Sequence, residues 1–81
     1  MQRTLTIQNE VADELGVWIE PFCNPYRVPK GSKLTLIYDA SEERGGLIEV
    51  EANAEGLTYW FDTDYEPDAL LDGAPISPMW S

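Results

Sequence analysis

The chain has 81 residues, 43% hydrophobic and 25% charged, with five Lys and Arg against fifteen Asp and Glu, no His, and a net charge of −10. That length predicts a single domain over residues 1–81 with one modest core. The charge sets the chain against polyanions, so neither nucleic acid nor an anionic membrane surface is expected as a partner.

The apolar residues recur with period two, the period of a strand with one buried side. Leu5 and Ile7 alternate with Thr4, Thr6 and Gln8, predicting a first strand over 2–8. Leu15, Val17 and Ile19 alternate with Gly16, Trp18 and Glu20, predicting a second over 14–20, with Asn9-Glu10 and Asp13-Glu14 breaking the chain between them. Pro21, Pro25 and Pro29 then keep 21–30 out of a helix, and proline cannot donate to a central ladder; this segment is read as a connection, closed by a Pro29-Lys30-Gly31-Ser32 turn. A third strand is expected over 32–39 through Leu34 and Leu36. A fourth follows over 47–51, with Ile48 and Val50 inward and Glu49 and Glu51 outward. A fifth begins at Leu57–Phe61 and a weaker sixth lies in 65–71. Asp72-Gly73 marks a hairpin turn into 74–76, and residues 74–81 read as a tail.

Short strands at roughly ten-residue spacing imply an all-β fold: a small antiparallel β-sandwich or open barrel of six to seven strands. The expected core is Leu5, Ile7, Leu15, Val17, Ile19, Leu34, Leu36, Ile48, Val50, Tyr59 and Phe61. The run Glu20-Pro21, Tyr26, Pro29 and Gly31 fits E-P-x-x-x-x-Y-x-x-P-x-G. In this it resembles small uncharacterised bacterial all-β proteins that carry such a segment between two strands. The resemblance covers about the first half of the chain; it implies a fold and no activity.

Several chemistries are set aside by residue type. Without histidine, the Ser-His and Cys-His nucleophile pairs are missing, as are the imidazole ligands of a copper sandwich. The single cysteine, Cys23, forms no intramolecular disulfide and is expected as a small buried or half-buried hydrophobe. One cysteine and an N-terminus without an apolar leader core predict a cytoplasmic setting. No run reaches the length of a membrane helix. No catalytic residue, metal site or cofactor is assigned, and the chain is read as not an enzyme.

The stretch L-T-Y-W-F-D-T-D-Y-E-P-D, residues 57–68, holds the most distinctive pattern. As a calcium loop starting at Asp62 it fails: Pro67 stands at the glycine position and Gly73 at the bidentate glutamate position. As one straight strand it would put Trp60, Asp62, Asp64, Glu66 and Asp68 on a wet face, and Tyr59, Phe61, Thr63 and Tyr65 on a buried one. Trp18 falls opposite the apolar side of its own strand, and Trp80 lies in the C-terminal tail. Exposed tryptophan beside carboxylates suits a protein interface. The candidate interaction residues are therefore Trp18, Trp60, Asp62, Asp64, Glu66 and Trp80. The expected function is an acidic, non-enzymatic protein-interaction module, its partner another protein or a second copy of the chain. The alternative is a small ligand- or cation-binding β domain using the acids at 62–68.

Overall fold

The computed structural model describes residues 1–40, 46–63 and 65–78, and within them the fold is all-β with no helix. Eight strands run in chain order: β1 Gln2–Gln8, β2 Glu14–Glu20, β3 Asn24–Pro29, β4 Lys33–Asp39, β5 Gly46–Asn53, β6 Gly56–Asp62, β7 Asp68–Leu71 and the two-residue β8 Ala74–Pro75. They form two four-stranded sheets, ordered β1-β4-β7-β8 and β3-β2-β6-β5, packed face to face as a small sandwich. All pairs are antiparallel except β2 and β6, which run parallel with Gly16 opposite Gly56 and Ile19 opposite Tyr59.

Period-two alternation explains the core. Ile7, Val17, Ile19, Leu34, Leu36, Tyr59 and Phe61 are all buried between the sheets, and Leu5 and Leu15 pack half-buried at the margin. Each fully buried aliphatic chain contributes about 1.5–3 kcal/mol through removal from water. Tyr38 meets Phe61 edge to face, with ring centroids 4.9 Å apart, closing one end of the core.

Four expectations are corrected. Residues 24–29 are a strand, not a connection, and Tyr26 and Val28 belong to the core. Pro25 and Pro29 are tolerated because β3 is an edge strand, where a missing N–H breaks no ladder on the open side. Ile48 and Val50 are 68% and 46% exposed. A bulge between Leu47 and Glu49 leaves Ile48 unpaired; Val50, opposite Tyr59, faces the core side but stands on an edge that the other sheet does not cover. Residues 57–68 are not one strand. β6 stops at Asp62, and the chain crosses to the opposite sheet, where β7 begins at Asp68; Tyr65, expected inward, is 81% exposed on the crossing. Cys23 is exposed rather than buried, in the left-handed region with φ 56°.

The Asp72-Gly73 hairpin is as expected: both residues have positive φ, as a type I′ turn requires, and Leu71 pairs with Ala74. The Asp72 carboxyl lies below its ordinary pKa because the Lys33 N–H and then the Ser32 side chain hydrogen-bond it. The start of the expected tail is docked, with Ile76 donating its N–H to Ala69 and packing on the core.

Asn9 is fully buried and every polar group it has is used. Its Nδ2 donates to the carbonyls of Ala12 and Val28, both at 2.8 Å, and its Oδ1 accepts from the amides of Val11 and Ala12. Its own N–H donates to Ser32 and its carbonyl accepts from Gly31. One residue thus ties the β1–β2 loop to β3 through its side chain and to the β3–β4 turn through its backbone.

Two outcomes test this packing. Ile19→Ala or Leu36→Ala should cost about 2–5 kcal/mol in urea unfolding, whereas Ile48→Ser should stay within about 0.5 kcal/mol, as for an exposed site. Equal losses at all three positions would mean the β5 bulge is misplaced. Asn9→Ala, though far smaller in volume change than Leu36→Ala, should cost about 3 kcal/mol by stranding buried backbone groups; an unaffected midpoint would show that the loop does not need this bracket.

Candidate interaction face and acidic cleft

The outer face of the β3-β2-β6-β5 sheet carries the tryptophans. Parallel pairing sets Trp18 opposite Thr58 and Glu20 opposite Trp60, so the two indoles sit on neighbouring strands one diagonal step apart. Across the next pairs, Glu51 faces Thr58 and Glu49 faces Trp60. Trp18, Trp60 and Thr58, with Glu20, Glu51 and Glu55, line a shallow depression of about 280 Å³. Both tryptophans are half-buried.

Local packing holds the Trp18 ring down. It lies across Gly16, where a Cβ would fall 2.7 Å from the ring atoms and 2.9 Å from the Glu55 carbonyl oxygen. Only glycine leaves room for the indole to lie along its own strand. The Trp60 Nε1 is buried without a hydrogen-bond acceptor among the described residues.

The charge around Trp60 is uniformly negative, with Glu20 and Glu49 opposite it on the flanking strands. Among the described residues the ion pair is Arg27–Glu14 at 3.2 Å, on the same face on the Trp18 side, where Arg27 stands opposite the Gly16 that the Trp18 ring covers. The Glu49 carboxyl is raised above its ordinary pKa, first by the hydrogen bond it shares with Glu51 and then by that neighbour's charge. The face therefore concentrates negative potential beside two aromatic surfaces. A protonated amine or guanidinium is the group such a surface attracts, by charge and by cation–π contact worth about 0.5–1 kcal/mol at exposed sites.

A second negative feature closes one end of the sandwich. Asp39, Asp62, Glu66 and Asp68 line a cleft of about 430 Å³ with Tyr38 and Tyr65. Glu66 accepts a hydrogen bond from Nδ2 of the buried Asn24, tying the β6–β7 crossing to β3. The Tyr26 hydroxyl is raised above its ordinary pKa by burial, then by the charges of Glu66 and Asp68. No group of three or more Asp, Glu or Cys among the described residues is placed to hold a metal ion.

The six expected interaction residues therefore divide. Trp18 and Trp60 come together on the sheet face; Asp62 and Glu66 line the cleft; Asp64 and Trp80 lie outside the described residues. Asp62 follows Trp60 by two on β6 and shares its outer face, but Glu66 is on the crossing and does not continue that row. Glu20, Glu49, Glu51 and Glu55 were not singled out by the sequence. The outward alternation of Glu49 and Glu51 was visible there; their place beside Trp60 depends on strand order. No family model, curated protein or solved structure matches this chain.

The raised pKa of Glu49 beside Glu51 has a testable sign. A carboxyl with a raised folded pKa contributes stability below its unfolded pKa, and that contribution is lost as pH rises through the folded value. Near neutral pH the pair is therefore repulsive. Glu49→Gln should raise the melting temperature at neutral pH and low salt, with the gain shrinking in high salt and vanishing below the carboxylate range. A lowered melting temperature at neutral pH would mean that Glu49 has a stabilising partner.

Proposed function

We propose that the chain is an acidic, non-enzymatic protein-interaction module whose tryptophan–glutamate face receives a cationic segment of a partner protein. The observation that carries this reading is the adjacency of Trp18 and Trp60 inside a border of glutamates. Tryptophan anchors are frequent in interface centres, and a like-charged border favours oppositely charged partners while repelling a second copy of a −10 chain. The exposed Cys23 thiol is consistent with a reducing, cytoplasmic setting. The cleft bordered by Asp39, Asp62, Glu66 and Asp68 supports a second reading, capture of a small cationic ligand at the end of the sandwich.

Titration with an oligolysine peptide separates the two. With Trp80→Phe in place, Trp18 and Trp60 report by emission. Binding should saturate, weaken with salt, and fall about ten-fold when Glu20, Glu51 and Glu55 are all changed to Gln, the folded spectrum being unchanged. Binding that survives those changes but is lost in Asp39→Asn with Asp68→Asn would move the site to the cleft. No saturable binding to oligolysine would reject both readings.

A further inference from the structure

Each sheet of the sandwich leaves two edge strands, and the four edges differ in what they offer. β3 carries Pro25 and Pro29, which deny a neighbour two donors. β8 is two residues long. β1 is long enough to pair, but its exposed side chains are Gln2, Arg3, Thr4, Thr6 and Gln8, with no anion among them. β5 pairs only with β6 among the described residues, leaving its other side open. It is also the edge with exposed aliphatic side chains, Ile48 and Val50, alternating with Glu49 and Glu51.

An open strand edge is a template for one more strand: its free N–H and C=O groups satisfy an incoming backbone, and its side chains select the sequence. On β5 that selection is legible. Residues of the incoming strand on the outer face would stand beside Glu49 and Glu51, and those on the core side beside Val50. The bulge between Leu47 and Glu49 interrupts the ladder, so regular pairing is confined to Glu49–Asn53. A second copy of β5 would bring its own glutamates into the same row, like charge against like charge, between two chains of net charge −10. Charge complementarity therefore selects a basic occupant.

We propose that β5 is a strand-addition site for an extended segment of a partner protein in which Lys or Arg alternates with aliphatic residues. The added strand extends the β3-β2-β6-β5 sheet and sets its cationic side chains along Glu49 and Glu51, toward Trp60. This rests on the reading of the chain as a module for cationic partners, and names the backbone mode by which the partner is held.

The probe is an acetylated, amidated heptapeptide of alternating lysine and valine, compared with the same peptide N-methylated at every backbone amide, which keeps the charge and removes the donors. The folded, isotope-labelled protein is titrated with each, while amide shifts and hydrogen exchange are followed residue by residue. The unmethylated peptide should bind at least about ten-fold more tightly. It should slow exchange at the β5 amides that point away from β6, and lose affinity in the double variant Glu49→Lys, Glu51→Lys. Equal binding of both peptides, with shifts confined to Trp18 and Trp60, would overturn strand addition and leave the cationic-partner reading standing. Binding of neither would overturn both. Protection of β5 that grows with protein concentration in the absence of peptide would make a second copy the occupant and overturn the choice of a basic segment.

Discussion

The parallel junction of β2 and β6 is the constraint on which the rest of the molecule depends. Gly16 and Gly56 face one another there, and the backbones come so close that a Cβ on Gly56 would collide with the Gly16 carbonyl. Gly56 also has φ 148°, outside the range that L side chains favour. Two glycines 40 residues apart thus allow the second strand to lie beside the sixth. That placement joins the β2–β3 hairpin to the β5–β6 hairpin as one sheet. It also gives the Trp18 ring the floor it lies on, and sets Trp60 next to it.

The remaining polar anchors secure what the junction assembles. Asn9 fastens the loop before β2 to β3 and to the turn that carries the chain to β4. Glu66 and Asn24 fasten the crossing from β6 to β7 against the start of β3. Asp72 fastens the last hairpin to the Lys33 amide at the start of β4. Each is a local side chain reaching a distant backbone or side chain, and each lies where the chain changes sheet or direction. The sheet faces between these anchors are left to alternation alone: apolar chains inward, and tryptophan with glutamate outward on the β3-β2-β6-β5 sheet.

Much of this was legible before any strand was paired. β1 and β2 run over the residues expected from alternation, β4 differs by one residue, and the Asp72-Gly73 turn announced its hairpin. What was hidden has a common cause, dependence on position in a sheet. Pro25 argues against a central strand and is silent about an edge one, so β3 was missed. Ile48 and Val50 have the period of a buried face, and only a bulge and an uncovered edge expose them. Asp62, Asp64, Glu66 and Asp68 keep a strand's spacing through a segment in which the chain leaves one sheet for the other. The site was half visible: Trp18 and Trp60 were each assigned to an outer face from their own strands. Nothing local says that strands 42 residues apart run side by side, so the glutamate border from β5 and the β5–β6 turn was out of reach.

The parallel register is also the feature most open to direct contradiction. In the isotope-labelled protein, cross-strand nuclear Overhauser contacts should join the backbone of Val17 to that of Leu57 and of Ile19 to that of Tyr59, and the Trp18 indole should contact the Thr58 methyl group. This ascending series, both numbers rising together, identifies a parallel pair. A descending series between β2 and β6, or none, would separate Trp18 from Trp60 and remove the face on which the functional reading stands.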